Sequence, residues 1–271
     1  MKNAIEVRGL RKHYGSRSVL RGVDLTIPRG EIFALLGVNG AGKTTTLECM
    51  EGLKTYDGGT IALDGRTGIQ LQTASLPEHI RPMEAVRLFS LCGGKKPDVS
   101  LLDALGIRDL GKKLYRELST GQRRRLHLAL ALVNDPDILF LDEPTAGLDV
   151  EGRISLHEEI RKLRERGKTV ILASHDMAEV ETLCDRIAIL NEGIITFCGT
   201  PAELTEAVGK KYTVEIRTSQ GTKTSETEHI ADTLLSLLTE LKEKQAEILD
   251  IRVDRGTLEQ HFLEMAGRAA E

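Results

Sequence analysis

The segment GVNGAGKTT, residues 37–45, connects the apolar run Ile32–Leu36 to the helix-forming stretch TTLECMEGL. It fits the pattern G-x-x-x-x-G-K-[ST] between a strand and a helix. Glycines let the backbone wrap around a phosphate, and the N–H groups of the turn and of the helix start bind the anion. The segment predicts a P-loop in which Lys43 contacts the β- and γ-phosphates of a nucleotide and Thr44 binds Mg²⁺. An ordinary Gly-rich turn is the alternative. The predicted phosphate-binding residues are Gly37, Asn39, Gly40, Ala41, Gly42, Lys43, Thr44 and Thr45.

Two carboxylates follow a second apolar run. The segment ILFLDEP places Asp142 and Glu143 at the end of a predicted buried strand, and open α/β sheets bind ligands at the carboxyl edge. We expect Asp142 to hold Mg²⁺ through a water molecule and Glu143 to polarise or deprotonate the attacking water. An acidic loop before a proline turn would have the same local sequence, but the P-loop upstream favours the functional interpretation.

Apolar runs and amphipathic helices alternate along most of the chain. DILFLDEP and KTVILASHD are apolar runs, and the stretch between them, Ile154–Arg166, has the helical period. This alternation predicts an α/β fold with a parallel sheet covered on both faces. AIEVRGLRKHYG and VLRGVDLTIPRG predict antiparallel strands, GGTIALDGRTGIQLQ a further strand pair, and RIAILNEGIITFCGT a hairpin. Residues 75–135 are predicted to be mainly helical.

A second region is predicted to follow, so that a large domain, 1–205, precedes a small α/β appendage, 206–271. KYTVEIRTS and ILDIRVDRG have the composition of strands, and HIADTLLSLLTELKEKQ and TLEQHFLEMAG that of helices. The polar stretch SQGTKTSETE between them is interpreted as a connection.

Composition argues against several classes of protein. The net charge of -4 gives no field that would attract nucleic acid, and with 3% aromatic residues the chain lacks a stacking platform for single strands. The 4 cysteines are scattered, so neither a zinc site nor a disulfide framework is indicated. We expect no secretion signal, and no run approaches the roughly 18 apolar residues of a membrane-spanning helix.

The pentapeptide LSTGQ, residues 118–122, lies between the P-loop and ILFLDEP. Motifs in that order resemble the nucleotide-binding subunits of the ATP-binding cassette (ABC) family, whose usual patterns are GPNGAGKST, LSGGQ and LLLDEP. The resemblance covers roughly residues 3–200. It implies a P-loop NTPase core with a parallel sheet, an antiparallel β-subdomain, and a helical subdomain at about 75–135 that carries the signature.

The resemblance also implies a head-to-tail dimer of ATP-binding subunits, either a homodimer or a heterodimer, in which the signature loop of one subunit contacts the ATP bound by the other. Further family roles map onto single residues of this sequence. Tyr14 fits the aromatic that stacks on adenine, and Gln72 the glutamine that senses Mg²⁺ and the water, with Gln70 as the weaker candidate. His175 fits the histidine that contacts the γ-phosphate. The residues expected at the ATP of the partner subunit or at the dimer interface are Ser119, Gly121, Gln122 and Asp149.

The sequence departs from the family pattern at several positions. Val38 replaces the usual proline, Thr44 the usual serine, and Thr120 the usual first glycine of the signature. The segment between ALDG and GIQLQ, which precedes Gln72, is also shorter than is usual in the family.

The signature helix also presents Arg123, Arg124 and Arg125 at its amino-terminal end, where the helix dipole favours anions. Either the arginines add positive potential near the γ-phosphate, or they pair with surface acids such as Glu117. His127 is interpreted as a packed helix residue, and His79 and His157 as ordinary surface positions.

The function that the resemblance implies is ATP hydrolysis that drives a separate transmembrane permease, with ATP and Mg²⁺ as the ligands. The tail LEQHFLEMAG is similar to that of bacterial drug-exporter ATPases, which favours export, at the cytoplasmic face of the membrane through the permease. The helical region is the expected docking surface, and no nucleic-acid partner is expected. The alternatives are a soluble ABC ATPase that acts on a non-membrane partner, a nucleotide-gated module without catalysis, and a P-loop kinase.

Overall fold

The computed structural model describes residues 2–70, 75–174, 176–207, 212–244 and 246–255. The chain divides into two compact units, Met1–Cys198 and Gly199–Glu271. Within the described ranges, no helix has the length and hydropathy needed to cross a lipid bilayer.

A six-stranded sheet forms the centre of the first unit. Its strands lie in the order β5-β6-β7-β3-β8-β9, and the pairs from β5 to β8 are parallel. Every residue of β3 and β7 is buried, which explains why both strands are continuous apolar runs rather than alternating ones. The predicted α/β fold is confirmed. The strands are β3 (Ile32–Leu36), β5 (Thr67–Gln70), β6 (Ile138–Asp142), β7 (Thr169–Ala173), β8 (Arg186–Asn191) and β9 (Ile194–Gly199).

Helices on the sheet complete the core of this unit. Helix α1 contacts β7, α4 contacts β5, and α5 contacts β7. The helices of the first unit are α1 (Lys43–Met50), α2 (Pro82–Gly93), α3 (Val99–Ala104), α4 (Thr120–Leu132), α5 (Val150–Glu165) and α6 (Met177–Leu183). The stretch from α2 to α4 also holds two short 3₁₀ turns, so the predicted helical region is present.

A three-stranded antiparallel sheet accompanies the parallel one. It consists of β1 (Asn3–Tyr14), β2 (Arg17–Pro28) and β4 (Gly58–Leu63), in the order β2-β1-β4. Apolar residues of β1 and β2, among them Val7 and Leu25, share one core cluster with residues of the parallel sheet such as Phe140.

The predicted strand pair in GGTIALDGRTGIQLQ is wrong, because its two strands belong to different sheets. β4 pairs with β1, whereas β5 pairs in parallel with β6. The turn between them moves the chain from one sheet to the other: Arg66 N–H donates to Asp137 Oδ2 at 2.9 Å, and Asp137 N–H donates to Arg66 O at 2.8 Å. Gly65 permits this crossing, since a Cβ there would lie 2.6 Å from the Asp137 Cβ, at a φ of 140°.

The second unit holds another three-stranded antiparallel sheet, in the order β11-β10-β12. Leu241 of the long helix α8 joins Val214 and Ile216 of β10 in one apolar cluster. SQGTKTSETE is not a simple connection, because most of it, Gly221–Thr227, forms β11, a polar edge strand whose threonines suit an extended backbone. The elements are α7 (Pro201–Ala207), β10 (Tyr212–Thr218), β11 (Gly221–Thr227), α8 (Ile230–Glu243) and β12 (Ile248–Arg255). The predicted final helix TLEQHFLEMAG lies outside the described residues.

Candidate active site

A cavity of about 550 Å³ opens at the carboxyl edge of the parallel sheet. It is bordered by the loop after β3 and by the last residues of β6 and β7, which is the edge at which such sheets bind ligands. Residues predicted independently from the P-loop, the acid pair and the amino-terminal aromatic meet here. The lining residues are Tyr14, Arg17, Val19, Asn39, Gly40, Gly42, Lys43, Thr44, Thr45, Asp142, Glu143, Ala173 and Ser174.

Glycine is required at two points of the loop. A Cβ at Gly37 would lie 2.4 Å from the carbonyl oxygen of Leu190, and one at Gly42 would lie 2.8 Å from Leu20 Cδ2. Gly42 is also the N-cap of α1, with a φ of 107° and no side-chain hydrogen bond to the helix start. The first N–H groups of α1 have no intrahelical acceptors and face an anion-binding position.

The Lys43 ammonium is held close to the loop. Nζ donates to the carbonyl oxygens of Gly37 and Val38. Burial lowers the pKa of Lys43, and the negative charges of Glu143 and Asp142 oppose that shift. The Lys43 side chain therefore lies beside the glycine loop and in the field of two acids, where it can contact a phosphate.

Asp142 and Glu143 occupy unusual environments at the end of β6. Burial raises the pKa of Asp142, and the adjacent charge of Glu143 raises it further, while Arg124 and Lys43 act in the opposite direction. Glu143 has a φ of 46°, a left-handed conformation that is strained for a residue with a side chain. Its N–H donates to Ala173 O at 2.9 Å, so the strained turn is fixed to the neighbouring strand.

Hard oxygen donors suited to Mg²⁺ lie on the same cavity wall. Thr44 supplies a hydroxyl and Asp142 a carboxylate. Among the described residues, no group of at least three His, Cys, Asp or Glu side chains could hold a metal ion. The donor set therefore fits a cation that takes its other ligands from water and from substrate phosphates, as Mg²⁺ commonly does.

Sequence reasoning missed four residues of the cavity wall: Arg17, Val19, Ala173 and Ser174. Arg17 Nη2 lies 3.8 Å from the position of a Cβ at Gly40, so the guanidinium stands beside the glycine loop. In the sequence, Arg17 is only a single cation at the start of a strand, a pattern too common to identify a site residue.

Tyr14, which was predicted, is 45% exposed, and the ammonium groups of Lys12 and Lys54 each lie 5.6 Å from its ring centroid.

The predicted signature residues do not line this cavity but form a second cluster around the start of α4. Ser119 is the N-cap: its Oγ accepts from Gln122 N–H at 3.3 Å, and Gln122 Oε1 accepts from Ser119 N–H at 3.1 Å. A Cβ at Gly121 would lie 3.4 Å from Leu148 Cδ2. Asp149, the residue after Leu148, is the N-cap of α5, and its Oδ1 accepts from Gly152 N–H at 2.8 Å.

Thr120, which stands where the family has glycine, packs beside this cluster. Its Cγ2 lies 3.2 Å from the position of a Cβ at Gly147. The extra methyl group therefore faces the turn that leads to Asp149 and reduces the space available there.

The arginines after the signature do not pair with Glu117. Arg123 lies over the Tyr115 ring at 5.0 Å and donates to Arg116 O at 3.1 Å. Glu117 instead accepts from Leu114 N–H at 2.8 Å. Within the ranges that the structure describes, none of the three arginines makes an ion pair. The charge of Arg124 opposes the rise in the pKa of Asp142, which is the direction expected if the arginines add positive potential near the cavity. The His127 ring packs on Tyr115 and lies 3.0 Å from its hydroxyl, as expected of a packed helix residue.

Gln72 and His175 lie outside the described residues. Gln70, the weaker candidate, is 2% exposed and both polar atoms of its side chain lack hydrogen-bond partners. Successive residues of β5 point to opposite faces of the sheet, so Gln70 lies on the same face as Gly68 and Ile69 on the other. A Cβ at Gly68 would lie 2.3 Å from Ala131 O in α4. Gln70 does not line the cavity.

The interpretation of His157 as a surface position is wrong. Its side chain is 13% exposed and its Nε2 lies 3.1 Å from Oε1 of the buried Glu179. The two residues are distant in sequence, and no local pattern links them.

Comparison with known proteins agrees with this geometry. The ABC transporter family profile matches residues 20–146. The chain is 39% identical to the Nod factor export ATP-binding protein I of Burkholderia orbicola, over 75% of the chain and 73% of that protein. It is 32% identical to the daunorubicin resistance ATP-binding protein DrrA3 of Streptomyces coeruleorubidus, over 97% of the chain and 96% of that protein. The chain belongs to the ABC transporter ATP-binding proteins.

The similarity to this family extends to solved structures. An ATP-binding subunit of an ABC transporter superposes with a TM-score of 0.68 at 26% identity, over 75% of the chain and 92% of that structure. A cassette in its ADP conformation has the same fold, with a TM-score of 0.67 at 20% identity, over 74% of the chain and 92% of that structure. This ABC protein is accordingly an ATP-binding ATPase.

Proposed function

We propose that this ABC protein hydrolyses ATP with Mg²⁺ in the described cavity and drives a separate membrane permease for export. The observation that carries the proposal is that one cavity joins Lys43 and Thr44 to Asp142 and Glu143. Phosphoryl transfer needs these parts, because it depends mainly on positioning and on charge stabilisation.

Each residue has a defined part in the proposed chemistry. The N–H groups of the P-loop and Lys43 hold the β- and γ-phosphates, and Glu143 accepts a proton from the attacking water. Thr44 and Asp142 would hold Mg²⁺, which neutralises charge on the phosphate oxygens when it is bound. Tyr14 supplies the aromatic surface for adenine. Gln72 and His175 are proposed to orient the water and contact the γ-phosphate.

The signature cluster supports a proposed dimer. Ser119, Gly121 and the start of α4 are suited to an anion, but they line no part of the cavity formed by the same chain. In a head-to-tail dimer, each start of α4 would face the γ-phosphate bound by the other subunit. Loss of that phosphate removes charge-assisted hydrogen bonds from the interface, which then opens.

The helical region offers a surface for the proposed permease. Helix α2 and the loop after it line a mainly apolar cavity of about 710 Å³. Leu88, Phe89 and Leu91 of α2 are 51%, 38% and 75% exposed, and an apolar cluster of this kind marks an interaction surface. A permease segment bound here would place the ATPase at the cytoplasmic face of the membrane.

Export is favoured by the relatives of the chain. The proteins with 39% and 32% identity are named for Nod factor export and for daunorubicin resistance.

The rival function, a soluble ABC ATPase, differs in where the protein resides. We expect the full-length chain to sediment with membranes in its native cell, and Leu91→Glu to release it, while Leu235→Glu, at an exposed position of α8, does not. A chain that stays in the supernatant in every case would favour the soluble ATPase.

Glu143→Gln tests the chemistry. The variant keeps the shape of the side chain but removes the proton acceptor, so we expect phosphate release to fall at least 100-fold and an ATP-bound dimer to accumulate in size-exclusion chromatography. Glu192→Gln is a matched control, because Glu192 also has a φ of 46° but does not line the cavity. Normal turnover by Glu143→Gln would contradict the proposed role of Glu143.

A further inference from the structure

A buried acid lies beside the cavity and has no part in the proposed chemistry. Glu179, in the first turn of α6, is 3% exposed. A buried carboxylate is costly unless hydrogen bonds satisfy it. Glu179 has two such partners from different parts of the chain: Ser174 Oγ donates to its Oε2 at 2.5 Å, and His157 Nε2 lies 3.1 Å from its Oε1.

Ser174 connects this acid to the cavity wall. It lines the cavity and follows the last residue of β7. Its hydroxyl donates to Glu179 and also accepts from Asp176 N–H at 3.1 Å. A single hydroxyl thus fixes the residues on both sides of position 175, and Glu179 fixes that hydroxyl.

Helix α5 holds the same segment from its other side. Arg153 and His157 are four residues apart and so lie on one face of the helix. Arg153 Nη1 donates to Asp176 Oδ2 at 3.2 Å, and His157 contacts Glu179. Because α5 starts at its N-cap Asp149, one helix runs from the signature cluster to the contacts with Asp176 and Glu179.

We propose that Glu179 is a positioning residue for ATP hydrolysis: it fixes Ser174 at the cavity wall, with His157 as its anchor on α5. This inference rests on the proposed function, because it assigns the benefit to the γ-phosphate contact of His175. Glu179 itself contacts no reacting atom. Its effect is therefore expected in the rate of turnover and not in the affinity for ATP.

The test measures kcat and KM for ATP with Mg²⁺ on the full-length protein. Glu179→Ala is expected to lower kcat at least tenfold while KM changes less than threefold. Glu179→Gln, which keeps an acceptor for Ser174, should recover kcat to within about threefold of wild type. Glu181→Ala is the matched control, since Glu181 lies on the same helix but is exposed, and its kcat should not change.

A purely structural role for Glu179 predicts a different pattern. Loss of packing alone would lower the thermal midpoint and the amount of active protein, without changing kcat per folded molecule. In single-turnover measurements, the Glu179→Ala substitution should slow ATP hydrolysis when it is made in the wild-type protein. It should cause no further loss of rate when it is made in the His175→Ala variant. Additive losses in that double variant, or an unchanged kcat in Glu179→Ala, would overturn the proposal.

Two milder variants provide the test if Glu179→Ala does not fold. Ser174→Ala removes one hydroxyl, and His157→Asn shortens the side chain so that the contact from α5 to Glu179 is lost. Both should lower kcat with little change in KM, and normal kcat in both would overturn the proposal. The proposed function fails separately: if Glu143→Gln hydrolyses ATP as fast as wild type, the chemistry is misassigned whatever Glu179 does.

Discussion

Glu51 makes the stability of the first unit depend on pH. This residue ends helix α1 as its C-cap, with its N–H donated to Leu47 O at 2.8 Å. Burial, together with the charges of Asp142 and Glu48, raises its pKa to about 7 from an ordinary value of 4.5. Because the folded chain binds the proton more tightly than the unfolded chain, the stabilising effect is complete below pH 4.5 and is lost as the pH rises to about 7.

The size of this effect follows from the two pKa values. At roughly 1.4 kcal/mol per pKa unit, the difference corresponds to at most about 3.5 kcal/mol. The carboxyl is only partly shielded from water, and solvent screening reduces the expected effect to about 1–2 kcal/mol. Glu51→Gln removes the charge and keeps the shape, so the variant should gain this stability relative to wild type above pH 7 and almost none at pH 4.5.

Urea unfolding of the full-length chain at several pH values from 4.5 to 8, without nucleotide, measures the difference between variant and wild type. Taking that difference cancels the other titrating groups. Glu181→Gln, at an exposed position of α6, is the control and should give a difference that does not change with pH. If the advantage of Glu51→Gln were the same at pH 4.5 and pH 8, or fell with rising pH, the assignment of a protonated, partly buried Glu51 would be wrong.

Three further predictions concern the loop, the signature and the core. Gly42→Ala should destabilise the chain by about 1–3 kcal/mol and weaken ATP binding at least tenfold, because its Cβ would lie 2.8 Å from Leu20 Cδ2. Gly52→Ala, at a positive φ in open space, should cost only about 1 kcal/mol and leave the affinity for ATP unchanged in a titration. Gly121→Asp should abolish ATP-driven dimerisation in size-exclusion chromatography but keep ATP binding to the monomer, since the new Cβ is tolerated at 3.4 Å from Leu148. Phe140→Ala, at a position 0% exposed on β6, should cost about 3–5 kcal/mol in urea unfolding, against less than about 0.5 kcal/mol for Leu235→Ala on the surface.

The sequence predicted the parts of the site that a short motif encodes. The P-loop and the acid pair each combine a strand end with a fixed local pattern, so Lys43 and Asp142 could be placed on one sheet edge before the structure was known. Tyr14 was predicted only from the family resemblance, since an exposed tyrosine at a strand end has no distinguishing local pattern.

Long-range pairing could not be predicted in the same way. The alternation in β4 and β5 indicates two strands but carries no information about which strand each one joins, and Gly65 directs them into different sheets. Likewise, the contact between His157 and Glu179 depends on how α5 and α6 pack. The polar strand β11 was missed because an edge strand needs few apolar residues.

The proposed dimer makes a prediction that distinguishes sites shared between subunits from sites within one chain. If the start of α4 in one subunit completes the cavity of the other, each site combines Lys43 of one copy with Gly121 of its partner, and a symmetric dimer holds two such sites.

In two copies fused as tandem repeats, Lys43→Ala in one copy and Gly121→Asp in the other would damage the same site and leave the second site with every residue intact. Both substitutions in one copy would damage both sites. The separated variants should therefore retain up to about half of wild-type phosphate release, and the combined variants almost none. The reverse pattern, in which only the combined variants retain activity, would show that each chain completes its own site, and equal activity in the two arrangements would contradict a site shared between subunits.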